Sequence, residues 1–83
     1  MYQIVYYYKE TEGRKVVERE YHSDEFRLRR NALHYVLDVV QNDYREDGYG
    51  TVPRVGGIFC YKSEKTDKGD RKVIEVLIKV EKA

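Results

Sequence analysis

Apolar and polar positions change period along the chain, and the changes divide it into elements. Residues 2 to 9 alternate among β-prone types, and residues 15 to 22 do so less cleanly. Between them, Glu10-Thr11-Glu12-Gly13-Arg14 is polar and offers a glycine for a positive φ, so the two runs predict a β-hairpin. With Glu12-Gly13 as its loop, Tyr8 faces Val17, Tyr6 faces Arg19 and Ile4 faces Tyr21 on one sheet face. Val5, Tyr7, Lys9, Val16, Glu18, Glu20 and His22 take the other face.

The period then lengthens. Ser23 suits an N-cap, Asp24 and Glu25 suit the positive end of a helix dipole, and Gly48 suits the residue that ends a helix, so a helix is predicted from Ser23 to about Asp47. Helical stepping aligns Phe26, Leu33, Leu37, Val40 and Tyr44 in one stripe. Leu28, Ala32, Tyr35 and Val39 form an adjoining stripe, with Val36 between the two. The apolar arc is about 200° wide, twice what packing on one sheet requires, so either the sheet curls around the helix or part of the arc meets another chain. Arg27, Arg30, Asn31, His34, Asp38, Gln41 and Arg45 occupy the opposite side.

After a glycine-rich connection over residues 48–57, two more strands are predicted at about 58–63 and 72–81. A turn at Lys68-Gly69 would set Phe59 and Tyr61 opposite Ile78 and Val76 on the core face, leaving Val73, Glu75, Leu77, Lys79 and Glu81 outside. The order is ββαββ, and residues 1–83 make a single two-layer α+β domain with one helix on a four-stranded sheet. The most apolar strand, the last, is expected centrally beside the first. That gives spatial order 2-1-4-3 with the first and last strands parallel; the second choice is 2-1-3-4, all antiparallel. The layout resembles the ubiquitin-like β-grasp in its N-terminal hairpin, helix and central last strand. Conjugated members of that family end in an exposed Gly-Gly. Here the end reads Val80-Glu81-Lys82-Ala83 and the Gly56-Gly57 pair is internal, so a role as a conjugated tag is not expected.

Composition narrows the chemistry. Sixteen Lys and Arg against fifteen Asp and Glu leave a formal charge of +1, which argues against a surface devoted to nucleic acid. No apolar run is long enough to span a membrane, and Met1-Tyr2-Gln3-Ile4-Val5 does not read as a secretory signal. With one cysteine, Cys60, a cytoplasmic location is expected. Nine tyrosines and no tryptophan favour strands, and also wet interfaces, because tyrosine joins a large apolar ring to a polar tip.

His22, His34 and Cys60 show no metal-ligand spacing, and no cofactor is expected. The glycine-rich connection follows a helix and lacks the Lys-Ser or Lys-Thr of a phosphate loop. Arg54 to Tyr61 partly echoes an RNA-recognition strand, but Gly56 and Ile58 stand where its stacking aromatics belong. Ser23 and Ser63 read as cap and turn residues. Two surfaces remain. Val5, Tyr7, Val16, Val73 and Leu77 gather on the sheet face away from the helix and form a candidate partner interface. Arg27, Arg30, His34 and Arg45 on the helix's polar side form a candidate phosphate track, interrupted by Asp38.

Small, tyrosine-rich ββαββ domains without catalytic motifs resemble the accessory inhibitors of phages and mobile elements, including anti-CRISPR proteins. The resemblance implies a non-enzymatic protein-binding domain that sterically blocks a nucleic-acid-processing host complex. Homodimerisation through the outer sheet face is also expected. The alternatives are a small nucleic-acid-binding protein that uses the helix face, weakly and without sequence preference, and a metal-independent ribonuclease built around His34.

Overall fold

A computed structural model describes residues 1–83. Five strands and one helix appear in the order β1 (Tyr2–Glu12), β2 (Lys15–His22), α1 (Arg29–Val39, continued by a π-helical turn over Val40–Arg45), β3 (Gly50–Arg54), β4 (Gly57–Lys65) and β5 (Arg71–Lys82). The sheet runs β2-β1-β5-β4-β3 and every neighbouring pair is antiparallel. It is an α+β fold with one helix on one sheet, and no helix is long and apolar enough to cross a membrane.

The predicted neighbours hold, with the last strand between β1 and β4, but the sheet has five strands instead of four. The missed strand, β3, lies in the glycine-rich connection and contains Pro53. It occupies an edge, where a proline's missing N–H costs no ladder bond. Its presence also explains why the expected parallel pair is wrong. One extra reversal after the helix inverts β4 and β5, so β5 runs antiparallel to β1 from Tyr2↔Lys82 to Glu12↔Lys72. The likeness to a β-grasp therefore stops at the order of elements.

Register follows loop length. The β1–β2 loop is Gly13-Arg14, with Gly13 at φ 59° and Glu12 opposite Lys15. Tyr8 thus faces Arg19 and Tyr6 faces Tyr21, two residues from the expected register. A shift of two preserves faces. The β4–β5 loop behaves differently. Thr66 N–H donates to Asp70 O at 2.8 Å, and Gly69, at φ 82°, donates to Thr66 O at 2.9 Å. The loop is three residues long, Asp67-Lys68-Gly69, instead of two. That difference of one moves the partners of Ile78 and Val76 to Ile58 and Cys60. Phe59 and Tyr61 are consequently on the outer face, not in the core.

The helix begins five residues later than predicted. Ser23 does not cap it: its hydroxyl accepts from Ile4 N–H at 2.9 Å and donates to Asp24 O at 2.8 Å. Ser23 N–H in turn donates to Ile4 O at 2.9 Å, and Tyr2 and Phe26 exchange backbone hydrogen bonds beyond it. Residues 23–26 therefore carry the course of β2 along β1 past an irregular step, with the serine oxygen standing in for a carbonyl. Leu28 is the N-cap, and Gly48 ends the turn at φ 87° as expected.

Helix and sheet enclose a core of Ile4, Ala32, Val36, Val40, Cys60, Ile74, Val76, Ile78 and Val80. On the helix only the central line of Ala32, Val36 and Val40 is buried. Leu28, Tyr35 and Leu37 are exposed, so the sheet does not curl around the wide apolar arc. Gly57 shows how tight the sheet is: a Cβ there would stand 2.0 Å from Ile78 O.

Candidate interaction surface

Strand alternation sends one set of side chains under the helix and the other to the uncovered outer face. The ladder registers arrange the outer set in rows across the sheet. One row is apolar over four strands: Tyr7 on β1, Leu77 on β5, Phe59 on β4 and Val52 on β3. The row towards the hairpin tips reads Glu18, Lys9, Glu75, Tyr61 and Gly50. The row on the other side reads His22, Val5, Lys79, Gly57 and Arg54.

Neighbouring groups organise this face. The Phe59 and Tyr61 rings stack with centroids 6.0 Å apart, and the Arg54 guanidinium carbon lies 5.3 Å from the Phe59 centroid. Tyr7 donates its hydroxyl hydrogen bond to Glu81, and that bond pushes its pKa up to about 12. The ring is thus held along the surface while 37 % of the residue remains exposed. Glu75 and Lys79, four residues apart on β5 and on either side of Leu77, make no ion pair within the chain.

All five predicted interface residues occupy the outer face. Tyr7 and Leu77 belong to the apolar row and Val5 to the row beside it, where Val5 is buried. Val16 and Val73 lie two rows towards the tips, flanking Thr11. Phe59, Tyr61 and Val52 complete the patch and were missed. The signal for the first two was the small, readily buried Cys60 between them, which competes with the aromatics for the core face.

The helix's polar side is less coherent. Arg27 precedes the helix instead of lying on it, so its expected alignment with Arg30 does not hold. Arg30 and His34 are exposed one turn apart. Arg45 lies in the π-helical turn, where its guanidinium donates to Gln41 Oε1 and to Thr51 Oγ1, both at 3.2 Å. It serves to tie the helix end to β3.

The remaining reactive groups are dispersed. Cys60 is fully buried, and burial pushes its thiol up to about 11. His22 is exposed on β2 with its Nε2 2.6 Å from Glu20, and His34 is exposed on the helix. No three His, Cys, Asp or Glu side chains come together as a metal-binding group. Ser63 accepts from Arg71 at 3.0 Å. Tyrosines cluster on the inner face: Tyr44 and Tyr49 meet edge to face at 5.0 Å, and burial, with Tyr6 nearby, pushes Tyr44 up to about 12.

No protein-family model, curated protein or solved structure matches this chain.

Proposed function

We propose that the chain is a non-enzymatic protein-binding domain and that its outer sheet face is the interface. The observation that carries this reading is the apolar row Tyr7–Leu77–Phe59–Val52 on the face without a helix, in which Tyr7 is exposed and the other three are half-buried, extended by the exposed Tyr61. A contiguous apolar patch rimmed by charges is the signature of a surface completed by another protein. Its aromatic residues are of the kind that dominate binding energy when a partner buries them. The mechanism under this reading is steric occupation, as in inhibitors of the anti-CRISPR type, which need no reacting group. The buried, weakly acidic Cys60 and the hydrogen-bonded Ser23 and Ser63 support a non-catalytic role.

The test is capture of partners from a host lysate, with and without nuclease, by the wild type and by Tyr7→Glu plus Leu77→Glu. Protein partners that survive nuclease and are lost in the double variant support the proposal. Capture that depends on nucleic acid and is abolished by Arg27→Ala plus Arg30→Ala overturns it in favour of the helix face. Incubation with single- and double-stranded RNA should leave both intact; cleavage abolished by His34→Ala would contradict the non-enzymatic part.

A further inference from the structure

The uncovered face has a geometry that selects its occupant. We propose that a second copy of this chain docks there, face to face, about a two-fold axis lying between the two sheets and along the Tyr7–Leu77–Phe59–Val52 row. The inference rests on the reading of the outer face as a protein interface, and a second copy seated there competes with a host protein for the same row.

Size gives the first argument. The chain exposes 6029 Å². A compact monomer of 10.0 kDa exposes about 5,200 Å² by the usual mass scaling. The excess of about 800 Å² equals one partner's share of a standard interface. The radius of gyration agrees: it is 13.9 Å, against roughly 12 Å for a closed domain of this length. Only 10 of 83 residues are buried, so a large part of the apolar surface still lacks a second layer.

Charge selects the axis. A two-fold axis along the apolar row stacks that row on its own copy, including Glu20 at its β2 end, which lies 2.6 Å from His22 Nε2, and exchanges the rows on either side. Glu75 then meets Lys79 of the second copy, and Lys79 meets its Glu75, which gives two pairs from residues that have no ion-pair partner within the chain. An axis parallel to β5 would instead oppose Lys79 to Lys79 and Glu75 to Glu75. The exchange also sets the Tyr61 ring over the bare backbone of Gly57, large against small. Aligned sheets cross at about 30°. At Glu75 and Lys79, about 7 Å from the axis, that rotation displaces the pairs by roughly 3.5 Å, within reach of a lysine.

The experiment is sedimentation of the wild type, Lys79→Glu, Glu75→Lys, and an equimolar mixture of the two variants. Circular dichroism verifies that each is folded. The wild type should sediment as a dimer. Each variant alone opposes like charges twice across the axis and should raise the dimer dissociation constant about tenfold. The mixture should restore association, because a heterodimer recovers both opposite pairs. A wild type that stays monomeric up to roughly 0.1 mM, about 100-fold above a micromolar dissociation constant, overturns the inference. So does a dimer indifferent to both swaps, which would associate elsewhere. In either case, partner capture sensitive to Tyr7→Glu would leave the protein-binding reading standing, whereas loss of that sensitivity as well would remove both.

Discussion

The two faces of the sheet are made by the same strands and differ in what lies over them. Along β5, Ile74, Val76, Ile78 and Val80 point to the helix and are buried, while Val73 and Leu77 point away and are only partly covered. Both faces are apolar near the middle. The inner one is closed by Ala32, Val36 and Val40 from the helix, whereas no helix lies over the outer one, where Val5 is nevertheless buried. Strands buried on both sides read as continuous apolar runs. The run Val76-Leu77-Ile78 in a sheet with one helical layer is the segment that the proposed partner would cover. The contrast separates residues that make the fold from those that make a surface.

The strongest way to break that contrast is to cut equal volumes from adjacent positions on β5. Ile78→Ala leaves a cavity in a site with no exposure and should lower stability by about 3–4 kcal/mol, a large part of what a domain this size possesses. Leu77→Ala, one residue away, should cost about 1 kcal/mol at concentrations where the chain is monomeric. Urea unfolding at low protein concentration measures both. Equal losses would mean that the outer face is as integral to the monomer as the core.

A smaller effect should come from titrating the inner face. Cys60 and Tyr44 have pKa values raised by burial, from 9.0 to about 11 and from 10.0 to about 12. A raised pKa means that the folded chain holds the proton more tightly than the unfolded one. The contribution is therefore complete below the unfolded value and is lost as pH rises through the folded one. Stability should decline between pH 9 and 12, and Cys60→Ala should flatten the early part of the decline. Melting temperature against pH is the readout. The same burial should keep Cys60 from reacting with a thiol reagent at pH 8 until the chain unfolds.

How much of this was legible in the sequence depended on loop parity. The first hairpin tolerated a two-residue error because alternation has period two: Tyr6 and Tyr8 still share a face with Arg19 and Tyr21. The second hairpin had one residue more in its loop than expected, and Phe59 and Tyr61 crossed to the other face. Charged residues from Glu64 to Arg71 fit several turn types, so local chemistry did not fix that loop. The strand β3 was hidden because its glycine and proline read as breakers, and only an edge position makes them acceptable. Ser23, Asp24 and Glu25 imitated a helix start because the preferences that make good caps also make good strand irregularities. The outer-face placement of Val5, Tyr7, Val73 and Leu77 was legible because β1 and β5 are long and regular, and that of Val16 because a two-residue register error in the first hairpin preserves faces.

The smallest expected effect concerns the end of the inner face near the hairpin tips, where ionic and polar side chains occupy the positions next to Ile74. Glu10 pairs with Ile74 in the β1–β5 ladder. Its carboxylate accepts a hydrogen bond from Tyr8 at 2.9 Å and lies 2.6 Å from Lys72 Nζ. Lys72, followed by Tyr8, lowers the Glu10 pKa below its ordinary 4.5. A lowered pKa reverses the sign of the previous case: the contribution is present above the unfolded value and is lost as pH falls through the folded one. Both partners are only partly covered, so salt screens the pair and its contribution is modest. Glu10→Gln should lower the melting temperature slightly at pH 7 in dilute buffer, and the difference should vanish both below the folded pKa of Glu10 and in 1 M salt. A difference that persists under either condition would show that Glu10 acts through packing over Ile74 instead of through charge, and this end of the inner face would then be closed like the half beneath the helix.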